Sequence, residues 1–322
     1  MLGLAARNSV ARTERDLLKS GPMKIRGIFP PLTTPFSDDG EIDVARLKSN
    51  IKRYSQTHIS GCVMNGSSGE SVLLTWDEIE RLWAAAMEAR PTGKVMIAGT
   101  GSESTGETIR HTKRAAEMGF HAALVRTPSY YKPGMTFEAE STHFFRVADA
   151  SPIPILIYAV PAFTGYTVEA PLVAKIATHP NVVGIKESSG NVQRMKDIVA
   201  MTPKDFNALT GSGLTLNESL EAGAAGGILA TACMIPEACA EAYDAVRRGD
   251  TERAEELRKN VVTPVAGLVP KFGVAGIKYA LDRLGYYGGM PRAPLLPVSE
   301  SAKLEIDNLL TSLKSTAAVS SS

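Results

Sequence analysis

Short apolar runs alternate with amphipathic segments over the first three-quarters of the 322-residue chain. Each run has four to six residues and precedes a segment with hydrophobic positions at helical spacing. After the eighth run, the pattern of the chain is mostly helical. The eight runs occupy residues 25–29, 61–65, 94–99, 122–126, 153–158, 182–186, 207–210 and 226–230.

Eight strands that alternate with helices predict a (β/α)8 TIM barrel with a C-terminal helical extension. A doubly wound parallel sheet is the main alternative, but it usually has fewer strands and a glycine-rich phosphate loop after the first strand. Here the first strand runs into Pro-Pro-Leu-Thr-Thr-Pro at residues 30–35, without that glycine pattern. We therefore expect residues 23–234 to form the barrel and residues 235–314 to pack on it as helices.

Both ends of the chain lack this alternation. Residues 1–22 contain several arginines together with Glu14 and Asp16, but no long apolar core, so secretion is not expected. We interpret them as a disordered extension, or as the result of a start assigned before Met23, with organelle targeting as a further alternative. Residues 315–322 are expected to be a disordered tail. The expected location is the cytoplasm.

Composition and charge exclude several classes of function. The formal net charge is +1 and aromatic residues make up 6%, so neither a nucleic-acid partner nor another polyanion is expected. No apolar run is long enough to span a membrane. Cys62, Cys233 and Cys239 lack metal-ligand spacing, and the first two are expected to be small buried hydrophobes. No histidine pairs with a carboxylate at metal-ligand spacing, so no metal site is expected.

Lys186 stands at the end of the sixth predicted strand, where another aliphatic residue would suit the pattern. Burial disfavours the charged form of a lysine, and a neutral amine attacks carbonyl carbons in the first step of Schiff-base catalysis. The alternative is a lysine whose ammonium group extends from the strand end into water. On this segment alone the alternative is the commoner case, because lysine is seldom buried.

Further polar side chains occur at other strand ends, where barrels form their active sites. Tyr158 ends the fifth strand and can transfer a proton, or can be a core tyrosine with a satisfied hydroxyl. Ser67 and Ser68 follow the second strand in a Gly-Ser-Ser-Gly segment, whose N–H groups and hydroxyls can bind a carboxylate. Serines that merely cap a helix are the alternative there. A glycine-rich segment at residues 210–213 follows the seventh strand.

These side chains together form a coherent catalytic set. Lys186 would attack a ketone, Tyr158 would transfer protons, and the Ser67–Ser68 loop would hold the adjacent carboxylate. No cofactor is needed beyond the covalent imine on Lys186. Two alternatives from other classes stay open. One is a non-catalytic regulator that binds a keto acid, and the other is a hydrolase with Ser67 or Ser188 as nucleophile, although no Gly-x-Ser-x-Gly turn is present.

Eight motifs occur at or after the strands in the order PPLTTPF, NGSSGES, AGTGSEST, TPSYY, YAVPAFTG, GIKES, TGSG and GGILA. In this order they resemble the dihydrodipicolinate synthase / N-acetylneuraminate lyase family, and the resemblance covers residues 24–313. It implies a class I pyruvate aldolase in which Lys186 forms the Schiff base with pyruvate and Tyr158 relays protons. It also implies that Ser67 and Ser68 bind the pyruvate carboxylate.

The same resemblance implies roles for residues that the strand pattern does not single out. Tyr130 matches a tyrosine that the family contributes across a dimer interface, and Gly211 and Ile228 match positions near the substrate. The family is usually a homotetramer, arranged as a dimer of dimers. The expected partners are therefore pyruvate, an aldehyde and further copies of the chain.

One position separates two activities within the family. Dihydrodipicolinate synthases carry an arginine that binds the carboxylate of their aldehyde substrate, and Phe163 stands at its place. Ser188, the segment 272–278 and the segment 285–295 resemble 4-hydroxy-2-oxoglutarate aldolases. The resemblance thus implies cleavage of a hydroxylated 2-oxo acid, such as 4-hydroxy-2-oxoglutarate or a 2-keto-3-deoxy sugar acid, to pyruvate and an aldehyde. Dihydrodipicolinate synthase of lysine biosynthesis is the alternative.

Overall fold

Eight parallel strands form the centre of the computed structural model, which describes residues 23–319 and the side chains of residues 23–313. The strands follow one another in the order β1-β8-β7-β6-β5-β4-β3-β2. Their bounds are β1 Gly27–Phe29, β2 Gly61–Met64, β3 Val95–Gly99, β4 Ala122–Arg126, β5 Ile155–Ala159, β6 Val182–Glu187, β7 Asn207–Thr210 and β8 Gly226–Ile228.

The barrel closes between β1 and β2 through the proline-rich segment that follows β1. The N–H of Leu32 donates to the carbonyl of Val63 at 2.9 Å, and the N–H of Val63 donates to the carbonyl of Pro30 at 3.0 Å. Each strand is therefore joined to two neighbours, as in a TIM barrel. The predicted (β/α)8 fold with C-terminal helices is confirmed.

Helices follow every strand and form a layer outside the barrel. Their bounds are α1 Val44–Ser55, α2 Trp76–Glu88, α3 Thr105–Glu117, α4 Phe137–Ala150, α5 Ala170–Ile176, α6 Val192–Met201, α7 Leu216–Glu221 and α8 Pro236–Arg248. Polar residues cap the N-termini of several of these helices. Thr75 accepts from the N–H of Glu78 while the Glu78 carboxylate accepts from the N–H of Thr75, and together they form a capping box at the start of α2.

Strand alternation divides the apolar side chains between two cores. One side of each strand fills the barrel, where Phe29, Leu156, Tyr158 and Ile228 belong to one buried cluster. The other side packs against the helices. Cys62 and Cys233 are fully buried among apolar residues, as the sequence predicts.

Three further helical segments complete the chain. The first comprises α9 (Thr251–Leu257), a π-helical turn at Arg258–Val262 and the short helix Thr263–Ala266. The others are α10 (Leu268–Arg283) and α11 (Glu300–Val319), which bury apolar residues against a short helix after β8, at Thr231–Met234. Within the described residues no single helix is long and apolar enough to cross a membrane. The bent pair Thr251–Ala266 and Leu268–Arg283 would together be long and apolar enough, by length and composition alone.

The C-terminal region has three features that the sequence pattern does not reveal. α8 buries Cys239 and Ala242 in the same core as α1 and α2, so the predicted boundary at residue 234 precedes the eighth barrel helix. α10 is broken at Gly273, whose φ of 58° lies outside the helical region. α11 extends to Val319, so its last residues overlap the tail that the sequence predicts from residue 315. Residues 1–22 and 320–322 lie outside the described part.

Candidate active site

Lys186 and Tyr158 lie side by side at the carboxyl ends of β6 and β5. The register of these two strands pairs Tyr158 directly with Lys186. Both side chains point into the barrel, with exposed fractions of 5% and 4%. The Lys186 amino group stands 4.2 Å from the centre of the Tyr158 ring. The alternative of a lysine extending into water is thus wrong for this position, because the surrounding strand ends enclose it.

The hydroxyl of Tyr158 connects the lysine to the loop after β2. Tyr158 Oη and Ser67 Oγ are 3.0 Å apart, within hydrogen-bond distance. Ser67 and Ser68 begin a short helical turn, Ser67–Gly69, and both are partly buried. The first N–H groups of such a turn have no acceptor within it, so they are available to an anion. The structure therefore brings together the amine, the phenol and the serines that the sequence predicts.

Ser188 and Gly211 meet at the ends of β6 and β7. The Ser188 hydroxyl is buried and has no hydrogen-bond partner among the described residues. A Cβ atom on Gly211 would lie 1.9 Å from this hydroxyl oxygen, so only glycine fits opposite the serine. Ile228, at the end of β8, is fully buried inside the barrel in the cluster that contains Tyr158. These three positions surround the same mouth of the barrel.

A buried ion pair lies behind the lysine, on the other side of β6. Glu187 faces outward because successive strand residues point to opposite sides, and its carboxylate lies 3.3 Å from Nε of Arg194 on α6. The same carboxylate accepts from the N–H of Ser189 at 3.0 Å. Glu187 and Arg194 therefore fix the loop that follows Lys186. Sequence reasoning missed both, because only the fold brings α6 against the back of β6.

Tyr130 does not share the enclosed position of Lys186 and Tyr158. Its side chain is 78% exposed, and its ring packs edge-to-face on Tyr131 at 5.0 Å. Glu103 holds the backbone here by accepting from the N–H groups of Ser129 and Tyr130 at 2.7 and 2.9 Å. Burial would raise the pKa of Glu103, but these bonds and Arg126 outweigh it and lower that pKa. The loop is thus held in place with Tyr130 directed into solvent.

Phe163 also lies outside the enclosed part of the site. It belongs to a single helical turn, Pro161–Thr164, directly after β5, and its ring is 73% exposed. The turn ends at Gly165, whose φ is 74°. The amino group of Lys132 lies 3.1 Å from where a Cβ atom on Gly165 would stand. An apolar ring and a lysine from the loop after β4 therefore border the outer rim near Tyr158.

A surface groove lies elsewhere, between α5 and α6. Its volume is about 630 Å³, and Glu169, Ser189, Arg194 and Met201 contribute to its walls. None of the strand-end residues described above lines it. The strand-end side chains at the mouth of the barrel, and not this groove, therefore form the candidate active site. Among the described residues, no group of three or more His, Cys, Asp or Glu side chains could hold a metal ion.

An amine beside a phenol at the mouth of a TIM barrel is the framework of a lyase of the class I aldolase type. Comparison with known proteins gives the family. The sequence model of the Dihydrodipicolinate synthetase family matches residues 24–313, and this chain belongs to that family. The chain is a lyase, in contrast to the hydrolase and the regulator that the sequence left open.

Two curated relatives illustrate the range of the family. A 4-hydroxy-tetrahydrodipicolinate synthase of Methanothrix thermoacetophila is 35% identical over 289 residues, which cover 89% of this chain and 97% of the relative. A probable mitochondrial 4-hydroxy-2-oxoglutarate aldolase of Emericella nidulans is 35% identical over 284 residues, covering 86% and 92%. Among solved structures, the 4-hydroxy-tetrahydrodipicolinate synthase of Methylacidiphilum fumariolicum SolV has a TM-score of 0.87 at 28% identity, covering 92% and 98%.

Proposed function

We propose that this lyase cleaves a hydroxylated 2-oxo acid to pyruvate and an aldehyde through a Schiff base on Lys186. The observation that carries the mechanism is the chain of contacts from the Lys186 amine through Tyr158 to Ser67. The amine adds to the C2 carbonyl, and the resulting carbinolamine loses water to give a protonated imine. Tyr158 transfers the protons of these steps, and Ser67 and Ser68 bind the C1 carboxylate.

The imine then accepts electrons from the bond that breaks. Cleavage between C3 and C4 leaves its electron pair on the enamine formed at Lys186, while the C4 hydroxyl loses its proton and becomes the carbonyl of the aldehyde. The proton passes to C3, and water hydrolyses the imine to release pyruvate and the free lysine. The Ser188 hydroxyl is buried and has no partner in the described part of the chain. We propose that it contacts the substrate beyond C2, together with the walls at Gly211 and Ile228.

Phe163 supports the choice of a hydroxylated 2-oxo acid over the synthase substrate. An arginine at this place would form a charged, two-pronged contact with a carboxylate, and an apolar ring cannot. Such a contact contributes about 1.5–3 kcal/mol, or roughly 10- to 150-fold in kcat/KM. A 2-keto-3-deoxy sugar acid releases a neutral hydroxyaldehyde and loses nothing by this replacement. 4-Hydroxy-2-oxoglutarate, which releases glyoxylate, needs another cation.

The second candidate is 4-hydroxy-tetrahydrodipicolinate synthase, which condenses pyruvate with aspartate semialdehyde. Several similar curated proteins carry this name. Lys132 is the specific structural observation in its favour, because its amino group stands beside Gly165, two residues after Phe163. A cation at this point can take the place of the arginine for any aldehyde that bears a carboxylate.

One panel of substrates separates these activities. We expect pyruvate release from 2-keto-3-deoxy sugar acids or from 4-hydroxy-2-oxoglutarate to exceed condensation of pyruvate with aspartate semialdehyde, measured as kcat/KM. Phe163→Arg should raise condensation by roughly 10-fold or more, because it restores a charged contact with the carboxylate. Efficient condensation by the unmodified protein would reverse the order of the two candidates. Binding of pyruvate without turnover of any substrate in this panel would contradict both candidates.

Lys132→Met refines the result. If cleavage of 4-hydroxy-2-oxoglutarate falls while cleavage of the sugar acids is unchanged, Lys132 supplies the cation that Phe163 does not. If all substrates respond equally, the rim lysine has no role in choosing the aldehyde. Lys271→Met is the matched control, because Lys271 pairs with Glu305 on the surface of the C-terminal helices.

The assembly and the location are proposed on the same basis. We propose a homotetramer in which Tyr130 reaches the site of a neighbouring copy, supported by its exposure and by the fixed backbone of its loop. The proposed location is the cytoplasm. The relative from Emericella nidulans is named as mitochondrial, so organelle targeting by residues 1–22 is the alternative, and imaging of the tagged full-length chain decides between them.

A further inference from the structure

Glu70 directly follows the turn that carries Ser67 and Ser68, and it is buried. Its side chain is 1% exposed. Its backbone has φ 55° and ψ 32°, in the left-handed region that residues other than glycine and asparagine rarely adopt. A strained backbone that carries a buried charge is unfavourable on both counts, so contacts elsewhere must hold Glu70 in this state.

Lys278, in the middle of α10, supplies the first of these contacts. Its side chain is fully buried, and its amino group lies 2.6 Å from Oε1 of Glu70. The amino group also donates to the carbonyl of Met290 at 2.7 Å and stands 4.3 Å from the centre of the Phe36 ring. Burial lowers the pKa of Lys278, and the charge of Glu70 opposes that change. The pair is therefore desolvated on both sides.

The second carboxylate oxygen of Glu70 is held by the loop after α10. The N–H of Arg292 donates to Oε2 of Glu70 at 2.7 Å. The guanidinium group of Arg292 pairs with both oxygens of Glu78 at 2.7 Å, and its centre stands 4.3 Å from the Phe36 ring. Both oxygens of the Glu70 carboxylate are thus engaged by the C-terminal segment.

The turn is held on its other side by the segment after β1. The Thr34 hydroxyl donates to the carbonyl of Gly69 at 2.6 Å. A Cβ atom on Gly69 would lie 3.0 Å from the carbonyl oxygen of Leu32, so the two backbones are closely packed. Contacts from both ends of the chain therefore fix the turn where its Ser67 hydroxyl meets Tyr158.

We propose that the Glu70–Lys278 ion pair positions the carboxylate-binding turn at Ser67 and Ser68, so that the C-terminal helices support substrate binding. Stability alone does not account for such a pair, because well-packed apolar residues often replace buried ion pairs without loss. An ion pair does fix geometry, since a lone carboxylate at Glu70 would have to move to find water or another cation. The proposal rests on the proposed function of Lys186 and of the two serines.

Three variants test the role. Glu70→Gln keeps the shape and removes one charge, Lys278→Met removes the other, and the double variant removes both without leaving a lone buried charge. Each is incubated with cyanoborohydride and either pyruvate or acetaldehyde, a carbonyl compound without a carboxylate. Modification of Lys186 is followed by peptide mass spectrometry. Lys271→Met, from the surface pair with Glu305, is the matched control.

We expect the pyruvate concentration for half-maximal trapping to rise 10-fold or more in the single variants, while trapping of acetaldehyde is unchanged. The double variant should regain thermal stability but keep the weakened response to pyruvate. Equal loss with both carbonyl compounds, or no change with either, would overturn the proposal. If Lys278→Met does not fold, pyruvate and acetaldehyde trapping are compared in Glu70→Gln and in the double variant. Failure of the unmodified protein to trap pyruvate on Lys186 would contradict the proposed function instead.

Discussion

Two ionisable side chains on α4, Glu140 and His143, are buried and form no close ion pair with any of the described residues. Oε2 of Glu140 and Nε2 of His143 have no hydrogen-bond partner among the described residues, and the other His143 nitrogen pairs with the Thr105 hydroxyl at 2.9 Å. Burial raises the pKa of Glu140 to about 7 and lowers the pKa of His143 to about 4. Both are therefore favoured in their neutral forms by the fold.

These two groups make opposite contributions to stability as the pH changes. The folded state binds an extra proton at Glu140 between its ordinary pKa of 4.5 and about 7, so this contribution is lost as pH rises through that window. His143 takes up a proton near its ordinary pKa of 6.5 only in the unfolded state. Its contribution to stability is therefore lost as pH falls from 6.5 toward 4. Between pH 4.5 and 6.5 the two slopes oppose each other.

Glu140→Gln should separate the two contributions. At pH 8 the variant should be more stable than the unmodified protein by about 2–3 kcal/mol, because it removes a buried negative charge. At pH 4.5 and below the advantage should vanish, and the variant should lose stability as pH falls below 6.5, where the His143 slope is no longer opposed. Thermal unfolding across this range provides the measurement. Glu138→Gln, an exposed residue of the same helix, is the control, and a pH-independent gain would contradict the account.

Individual residues differ in how far the sequence reveals them. Lys186 and Tyr158 can be predicted because each breaks an apolar strand pattern at its end, where a barrel forms its site. Glu70 and Lys278 cannot, because their contact joins segments from the second strand and from a C-terminal helix. A lysine in an amphipathic helix is usually solvent-exposed, and nothing local marks this one as fully buried.

At the scale of elements, the apolar runs predict all eight strands to within a few residues. They succeed because parallel strands buried on both sides require continuous apolar sequence. The short helices Pro161–Thr164 and Thr231–Met234 were not predicted, because four residues are too few to show a helical period. The π turn at Arg258–Val262 also has no sequence signature that the periodicity could reveal.

The register between paired strands decides which strand-end residues face each other, and the hydrophobic pattern does not contain this information. The order of elements gives the neighbours of β6, but only the register sets Tyr158 opposite Lys186 and leaves the Gly211 backbone facing Ser188. Likewise, alternation predicts that Glu187 points away from Lys186, whereas its partner Arg194 depends on how α6 packs against the barrel. The sequence therefore predicts the residues at the centre of the site, whereas the contacts that support them can be identified only from the fold.

At the scale of the whole molecule, one proposed site residue needs a second copy of the chain. Tyr130 stands on a loop whose backbone is held by Glu103, but its side chain is exposed, unlike that of Lys186. The proposed assembly explains this arrangement if each copy lends Tyr130 to its neighbour.

Mixing two inactive variants tests that sharing. Tyr130→Phe and Lys186→Ala should each lose most activity in their own oligomers. Oligomers reassembled from both should regain up to about a quarter of it, because in a pair of unlike subunits one site combines an intact lysine with an intact tyrosine. Pyruvate release before and after mixing is the measurement, with unmixed variants treated identically as controls. If mixed oligomers form but stay inactive, Tyr130 does not complete a neighbouring site.

The central claim is that Lys186 forms an imine with pyruvate. Reduction with borohydride in the presence of pyruvate, followed by peptide mass spectrometry, tests it most directly. We predict one stable adduct per chain on Lys186 and none in Lys186→Ala, whereas Tyr158→Phe should retain the adduct but form it more slowly, because its proton relay is lost. The absence of an adduct on Lys186, or an adduct that persists in Lys186→Ala, would contradict the account.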